Sequence, residues 1–332
     1  MKSIVITEHG APEVLQVQER IDPRPGSGEV AIDVAAAGVN FADVMARVGL
    51  YPDAPKPPVV VGYEVAGIVS ELGEGAQRFE VGDRVMAGTR FGGYSERVRA
   101  KVDDVVRLPE QMSFEEGAAV PVNYLTAYLG LMRFGALRAG ERVLIHAAAG
   151  GVGIAATQIA KHHGAEVLGT ASPQKHDAIR AIGVDHALDY TKPGWDKGLP
   201  KVDLVMDAVG GRSFRRSYEL LRPGGRLVCF GASAVMSGER RNLVAAARAA
   251  VTMPRFNLIK QMSQSKSVIG LNMLTLWDEM GSLAPYLHAV EELIADGTIK
   301  PVVAKAFTFA QAPEAHRYLS ERRNVGKVVL TP

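Results

Sequence analysis

Cysteine is almost absent from this sequence of 332 residues. Cys229 is the only cysteine, so no disulfide bond can form within the chain. Chains without disulfides are typical of reducing compartments, and we therefore expect a cytoplasmic protein. The first ten residues, MKSIVITEHG, also lack the apolar core and the small-residue cleavage site of a signal peptide.

Long apolar runs and blocks of basic charge are absent as well. No uncharged apolar stretch reaches 18 residues, so the sequence predicts no membrane span. The net charge is only +2, and Lys and Arg are not clustered as nucleic-acid binding requires. The remaining composition, 47% hydrophobic and 22% charged, is typical of a soluble globular protein, and the length favours two domains.

The pattern of strands and turns changes along the chain. Residues 1 to about 120 hold short β-rich runs broken by Gly and Pro, which predict a partly antiparallel, barrel-like domain. A long helical stretch should follow, with Ser113 as its N-cap and Glu116 completing a capping box. The middle of the chain then alternates strands and helices, which predicts a doubly wound parallel sheet. A helical insert interrupts that rhythm at about 234–265.

The strongest local signal is the glycine-rich turn AAAGGVG at residues 147–153, between the first strand of the middle region and its helix. A dinucleotide site needs small residues there, for the turn, for the approach of the pyrophosphate and for helix packing. Ala148, Gly150 and Gly153 hold these three places, and the pyrophosphate would lie at the helix N-terminus. A tight strand–helix connection is the simpler alternative.

The second strand of the middle region ends in GTASPQK, without the acidic residue that binds the ribose 2′-hydroxyl of NAD. Ser172 and Lys175 would instead hydrogen-bond and neutralise a 2′-phosphate, so the sequence favours NADPH. Tyr190, at the end of the third strand, is placed to contact the adenosine. The alternative for Lys175 is a solvated residue in the first turn of a helix.

Several segments together resemble the medium-chain dehydrogenase/reductase superfamily: GVNFADVMARVGLYP, GYEVAGIV, NYLTAYLGL, VLIHAAAGGVGIAATQIAK, GTASPQKH and NVGKVVL. Within it the sequence is similar to the zinc-free quinone oxidoreductases of the zeta-crystallin-like group, and most similar to the vesicle amine transport protein branch. The resemblance implies a GroES-like, partly open β-barrel catalytic domain at 1–121 and 273–332. It also implies a Rossmann domain with a six-stranded parallel sheet at 122–272, NADPH as cofactor, and a homodimer.

The zinc ligands of related alcohol dehydrogenases are missing. Asn40 stands where those enzymes have a Cys, and Tyr63, followed by Glu64, stands where they have a His. A zinc site needs about four nitrogen, sulfur or oxygen ligands, and one cysteine cannot supply the four-cysteine structural lobe either. We therefore expect no metal site.

Asn40 and Tyr51 are the candidate catalytic residues that the resemblance implies. Asn40 lies in the motif that faces the nicotinamide in this family, and the ordering of a loop is the alternative role. Tyr51 matches the proton-donating tyrosine of related enoyl thioester reductases, although its ring could simply stack on the substrate. The resemblance places further cofactor contacts in the glycine-rich turn, at later strand ends and in the C-terminal tail: Asn40, Thr126, Ala149, Gly150, Gly151, Val152, Gly153, Thr170, Phe230, Gly231, Ala232, Ser233, Gly270, Leu271, Arg322 and Asn324.

The sequence therefore predicts an NADPH-dependent, metal-independent reductase of quinones or α,β-unsaturated carbonyls. Enoyl thioester reduction is one alternative, and a nucleotide-binding interaction protein with little turnover is another. The sixth strand, KSVIGLNM, would lie at the edge of the sheet, where an apolar strand invites pairing with a second copy.

Overall fold

The computed structural model describes residues 1–235, 247 and 251–332 of the chain. The described residues form three β-sheets with helices packed around them. The predicted insert at about 234–265 lies partly outside the described residues, which include a short 3-10 turn at Ser233–Val235 and a helix at Leu258–Gln264. No helix in the described part of the chain is both long enough and apolar enough to cross a lipid bilayer.

The first region of the chain is built from mostly antiparallel strands, as its alternating pattern predicts. Its larger sheet also includes two strands from the C-terminal end of the chain, and its order is β15-β16-β3-β5-β6-β8, with β7 also paired to β3. A small sheet has the order β2-β1-β4. The inward side chains of both sheets share one apolar core. The strands are β1 (Lys2–Ile6), β2 (Leu15–Glu19), β3 (Glu29–Val39), β4 (Val59–Val60), β5 (Glu64–Leu72), β6 (Arg84–Gly88), β7 (Arg97–Lys101), β8 (Val105–Arg107), β15 (Val303–Thr308) and β16 (Lys327–Thr331).

The middle region forms a six-stranded sheet in which all pairs are parallel, in the order β11-β10-β9-β12-β13-β14. Its central strands are apolar along most of their length because helices cover both faces of such a sheet. This confirms the predicted fold class, a GroES-like domain with a doubly wound parallel sheet. The strands are β9 (Arg142–Ile145), β10 (Glu166–Ala171), β11 (His186–Asp189), β12 (Val202–Asp207), β13 (Leu221–Cys229) and β14 (Ser267–Gly270).

The helices follow the predicted pattern with three differences. The capping box is confirmed, since the Ser113 Oγ accepts from the Glu116 amide at 3.2 Å and the Glu116 carboxylate accepts from the Ser113 amide at 2.8 Å. The long helix predicted after it is wrong, because the chain breaks before Pro121 and starts again with that proline, which has no N–H to donate. Two helices were not predicted, one that begins after Asn40 in the β-rich region and one that begins after Asn272. The helices are α1 (Phe41–Arg47), α2 (Phe114–Gly117), α3 (Pro121–Tyr128), α4 (Gly151–His162), α5 (His176–Ile182), α6 (Arg212–Leu220), α7 (Leu258–Gln264), α8 (Met273–Met280), α9 (Ala284–Ala295) and α10 (Ala312–Ser320).

The C-terminal tail returns the chain to its first sheet. Strand β16 pairs antiparallel with β3 and parallel with β15. Just before β16, the Gly326 amide donates to the Ala149 carbonyl at 2.9 Å, which joins the tail to the glycine-rich turn of the other sheet. The two sheets therefore meet along a cleft that is bordered by the first strand–helix connection of one and the last strand of the other.

Candidate functional site

The cleft between the two sheets contains a cavity of about 820 Å³. The predicted catalytic and cofactor-binding residues all line this cavity except Gly270, which ends the edge strand β14. The topology explains the convergence, because the carboxyl ends of parallel strands meet at one edge of a sheet and ligands bind outside that edge. The role of each of these residues stays a prediction, whereas their common location is a finding.

The glycine-rich turn has the geometry that its small residues allow. Gly150 is the N-cap of α4, and its amide donates to the Ala147 carbonyl at 2.8 Å, which closes a tight turn. A Cβ built on Gly153 would lie 2.3 Å from the Ala147 oxygen, so no side chain fits there. A Cβ built on Gly150 would meet only that same oxygen, at 3.3 Å, and Gly150 lines the cavity. The N-terminus of α4 faces the same space, where its unpaired amides favour an anion.

The end of β10 provides a basic corner. Lys175 Nζ donates to the carbonyl oxygens of Arg322, at 2.6 Å, and Asn324, at 2.5 Å. An ammonium group has three donors, so one remains for a ligand. Burial, and then the nearby Arg322 guanidinium, lower the pKa of Lys175 from its ordinary value. Ser172 and Tyr190 line the cavity beside it, so this corner has the composition of a phosphate-binding site.

The opposite end of the cavity contains a buried ion pair that the sequence analysis missed. Lys327, at the start of β16, forms a short contact through Nζ with the Glu64 carboxylate, and both side chains are almost fully buried. Asn40 bridges them, because its Oδ1 accepts from Lys327 at 2.7 Å and its Nδ2 donates to Glu64 at 3.0 Å. The other Glu64 oxygen accepts from the Val122 amide at 2.7 Å. The only sequence signals were an acid and a lysine, each opening a strand whose next residues are mostly apolar.

This cluster does not fit a zinc ion. The Asn40 amide oxygen, which would have to face a metal, already faces the Lys327 ammonium group, and a cation so close would repel zinc. Tyr63 offers a neutral phenol in place of an imidazole. Among residues 1–235, 247 and 251–332, no group of three or more His, Cys, Asp or Glu side chains is arranged to hold a metal ion.

Three aromatic side chains pack together near the cluster, and two of them, Tyr51 and Tyr63, line the cavity. The Tyr51 ring meets the Tyr63 ring edge-on, with centroids 6.3 Å apart, and Tyr63 lies against Phe91 at 5.4 Å. Burial, with smaller effects from Asp53 and Asp43, raises the pKa of Tyr51 to about 12, so its hydroxyl stays protonated at neutral pH.

The loop that carries Tyr51 is tied to the far side of the cleft. The Asn272 side chain donates to the Asp53 carboxylate at 2.9 Å, and its Oδ1 caps α8 by accepting from the Leu274 amide at 3.0 Å. Because Asn272 is fixed by its own helix, it gives the Tyr51 loop a rigid point of attachment.

His146 is a further cavity residue that the predicted site did not include. It directly follows β9, with Nδ1 3.2 Å from the Thr170 Oγ1 and Nε2 3.0 Å from the Ser217 Oγ. Burial lowers the pKa of His146, against the opposite effect of Asp207. The neutral imidazole therefore orders Thr170 at the end of β10, which is a positioning role.

Comparison with known proteins adds to this description. Residues 26–110 match the family described as alcohol dehydrogenase GroES-like domain, and residues 182–330 match the family described as zinc-binding dehydrogenase. A synaptic vesicle membrane protein VAT-1 homolog from Danio rerio is 38% identical over 337 residues, which cover 99% of this chain and 70% of the relative.

Two solved structures have the same fold over nearly the whole chain. The quinone oxidoreductase of Escherichia coli, complexed with NADPH, has a TM-score of 0.85 and 32% sequence identity, and the match covers 100% of each chain. The CurK enoyl reductase has a TM-score of 0.85 and 30% identity, with 99% of this chain and 98% of that chain covered.

The two glycines of the turn should respond differently to substitution. Gly153→Ala forces backbone movement and should lower the free energy of unfolding by about 1–3 kcal/mol. Gly150→Ala would place its Cβ at a tight 3.3 Å from the Ala147 oxygen only, and alanine is a poorer N-cap than glycine, so it should cost some stability but less than Gly153→Ala. Its methyl group enters the cavity wall, so the affinity for NADPH, the predicted cofactor, should fall by about tenfold or more. Urea denaturation and fluorescence titration measure the two quantities. Equal loss of stability in both variants, or normal NADPH affinity in Gly150→Ala, would contradict this division.

Proposed function

This chain belongs to the quinone oxidoreductase-like group of the medium-chain dehydrogenase/reductases, and from that premise we propose that it reduces quinones or α,β-unsaturated carbonyls without a metal. It is an oxidoreductase that uses NADPH. The family gives the cofactor and the class of reaction, and the choice of substrate is the proposal.

The observation that carries the proposal is the composition of the cavity around Asn40 and Tyr51, where the substrate would bind and which is called the substrate end. Asn40 and Tyr51 stand there beside the buried pair of Glu64 and Lys327, in an arrangement that does not fit a metal. An isolated carbonyl needs its oxygen strongly polarised before it accepts hydride. A quinone or an enone needs less polarisation, because conjugation already makes a ring position or the β-carbon electrophilic. Positioning and a hydrogen-bond donor suffice for such a substrate.

The residues of the chain divide the work along the cavity. Gly150 and the N-terminus of α4 would hold the pyrophosphate of NADPH, and Ser172 with Lys175 would hold its 2′-phosphate. When bound, NADPH supplies the hydride. Asn40 has a fixed orientation, because both ends of its amide are held by the buried ion pair. Tyr51 lines the cavity and remains protonated, so it would supply a hydroxyl donor to the substrate.

Absorbance at the NADPH band tests the proposal directly. Purified protein should oxidise NADPH in the presence of quinones or enones, and a chelator should leave the rate unchanged. Saturated aldehydes, which lack conjugation, should react far more slowly and serve as matched controls. Failure of every quinone and enone, or a rate that depends on added zinc, would refute the proposal.

Enoyl thioester reduction is the second candidate, and the similarity to the CurK enoyl reductase favours it. Hydride transfer would have the same course, but the substrate would carry a long thioester arm. A panel that includes crotonyl thioesters separates the two, because a preference for the thioester over simple enones identifies this activity. A third candidate, a nucleotide-binding interaction protein, would bind NADPH and oxidise it with none of these acceptors.

We also propose a homodimer that forms through β14. This strand pairs with β13 along one edge, and nearby α7 exposes Leu258, Ile259 and Met262 by more than 70% each. An apolar sheet edge favours pairing with a second copy. Light scattering at micromolar concentration should give twice the monomer mass of 35.5 kDa. Leu258→Lys combined with Met262→Lys should shift the protein toward monomer, and a wild type that is monomeric throughout would refute the dimer.

Lys175 should determine the choice between NADPH and NADH. A charge-assisted hydrogen bond contributes about 1.5–3 kcal/mol, so Lys175→Ala should weaken NADPH binding by about ten- to a hundredfold. The binding of NADH should change little, because NADH has no 2′-phosphate. Fluorescence titration with both cofactors measures this, and Lys300→Ala, at an exposed residue that does not line the cavity, is the control. Equal losses for both cofactors would show that Lys175 acts only by holding the tail.

Tyr51→Phe tests whether the hydroxyl of Tyr51 takes part in the reaction. If it donates a proton or a hydrogen bond, kcat on an enone should fall by about a hundred- to ten-thousandfold while NADPH affinity stays the same. If the ring only stacks on the substrate, Tyr51→Phe should keep its activity and Tyr51→Ala should mainly raise KM. An enone is the right substrate, because a quinone can take its proton from water. Single-turnover rates measure the chemical step, and an unchanged rate in Tyr51→Phe would remove Tyr51 from the role of acid.

A further inference from the structure

A chain of hydrogen bonds among buried side chains runs from Asp207, at the end of β12, to the glycine-rich turn that follows β9. The Ser217 hydroxyl donates to Asp207 Oδ2 at 2.7 Å and lies 3.0 Å from His146 Nε2. His146 Nδ1 lies 3.2 Å from the Thr170 Oγ1, which accepts from the Ala147 amide at 3.3 Å. We infer that this chain sets the conformation of the turn for NADPH, with His146 as its central positioning residue, an inference that rests on the cofactor placement proposed above.

Only one arrangement of the protons satisfies every link of this chain. A carboxylate only accepts, so the single hydroxyl proton of Ser217 goes to Asp207. The Ser217 oxygen must then accept from His146 Nε2, which carries the imidazole proton. Burial lowers the pKa of His146, so the ring is neutral and its Nδ1 accepts from the Thr170 hydroxyl. The Asp207 carboxylate thus determines the tautomer of His146 and, through it, the direction of the Thr170 hydroxyl.

Thr170 needs this direction because it holds two consecutive amides of the turn. Its Oγ1 accepts from the Ala147 amide, and its backbone carbonyl accepts from the Ala148 amide at 3.0 Å. A hydroxyl proton turned toward Ala147 would repel that amide. A hydroxyl proton donated to His146 instead leaves a lone pair for the amide.

The Ala147 backbone is the part of the turn that needs a restraint. Ala147 has a φ of 53°, in the left-handed region that is unfavourable for a residue with a Cβ. In this conformation its carbonyl accepts from the Gly150 amide at 2.8 Å, which closes the turn. A residue other than glycine keeps such a conformation only when its surroundings hold it there. The hydrogen bond from the Ala147 amide to Thr170 is such a restraint.

Asp207 also fixes the loop after β12. Its Oδ1 accepts from the amides of Val209, at 2.8 Å, and Gly210, at 3.4 Å. Both residues line the cavity, as do His146 and Ala147. The strand order reverses between β9 and β12, and a dinucleotide binds in the crevice between the loops at such a point. One buried carboxylate therefore connects the two loops between which the cofactor would bind.

Ser217→Ala tests the inference by breaking the chain at a buried residue that does not line the cavity. The NADPH dissociation constant should rise by about three- to tenfold, because one link is lost and fewer molecules have the turn correctly formed. Thr157→Val is the matched control, since it removes a buried hydroxyl that donates outside the chain and does not line the cavity. Its dissociation constant should equal that of the wild type. An unchanged constant in Ser217→Ala would overturn the inference.

Ala147→Gly tests whether the chain acts through the turn. Glycine adopts a positive φ readily, so it does not need the restraint. Ser217→Ala combined with Ala147→Gly should therefore bind NADPH within about twofold of Ala147→Gly alone. A loss of affinity in the combined variant as large as that in Ser217→Ala alone would show that the chain acts elsewhere, and the inference would fail.

Two measurements without cofactor separate this inference from the proposed placement of NADPH. Nitrogen NMR of labelled histidine should show the His146 proton on Nε2, and a proton on Nδ1 alone would refute the chain. Amide hydrogen exchange at Ala147 should be faster in Ser217→Ala than in Thr157→Val, and equal rates would refute it as well. If the wild type does not bind NADPH, the cofactor placement fails, and these two measurements still decide whether the chain sets the turn.

Discussion

The buried ion pair between Glu64 and Lys327 is the interaction on which the substrate end of this protein depends. It joins residues 263 positions apart in the sequence, one at the start of β5 and one at the start of β16. Two charges removed from water lose several kcal/mol of hydration each, and good geometry with further hydrogen bonds is needed to offset that loss. The Asn40 amide and the Val122 amide provide those bonds, so the same cluster fixes the start of α1, the start of α3 and the last strand.

That cluster also determines which chemistry the site can perform. In the zinc-dependent relatives, a metal at this place would polarise an oxygen. Here an ammonium group is held against a carboxylate and an amide, so its charge is already neutralised within the wall. What remains at the cavity is the neutral hydroxyl donor of Tyr51, which lines it. Neutral donors orient a substrate and stabilise a developing charge, but they do not activate an isolated carbonyl as strongly as a metal does.

Elements that depend on short segments could be located from the sequence, whereas those that depend on tertiary contacts could not. The turn at 147–153 and the strand end at Ser172 could be identified because a strand, its turn and its helix are adjacent in the sequence. The topology of the parallel sheet follows from the same local alternation, and it is confirmed. The long helix after Ser113 was wrong because Pro121 starts a new helix, which the apolar pattern does not reveal.

Lys327 and the environment of Tyr63 could not be predicted for a different reason. Whether a lysine at the start of an apolar strand is solvated or buried depends on its partner, and Glu64 lies in a distant segment. Tyr63 could be recognised as a missing zinc ligand, but the rings that pack against it come from other segments of the chain. Gly270, which the family resemblance placed in the site, ends β14 next to the cavity residue Leu271 but does not itself line the cavity, and its role stays a prediction.

The contacts between the C-terminal tail and the residues predicted to bind the cofactor have a consequence for dynamics. Lys175 holds the carbonyl oxygens of Arg322 and Asn324, and the Gly326 amide is bonded to Ala149 in the glycine-rich turn. If a dinucleotide binds only when this tail is docked, its binding raises the free energy that is needed to open the tail locally. The increase grows with the logarithm of the dinucleotide concentration. Amide hydrogen exchange at Gly326 therefore reports on occupancy of a pocket whose glycine-rich turn lies more than 170 residues earlier in the chain. The end of the polypeptide and the cofactor are thermodynamically linked, so each stabilises the other in place.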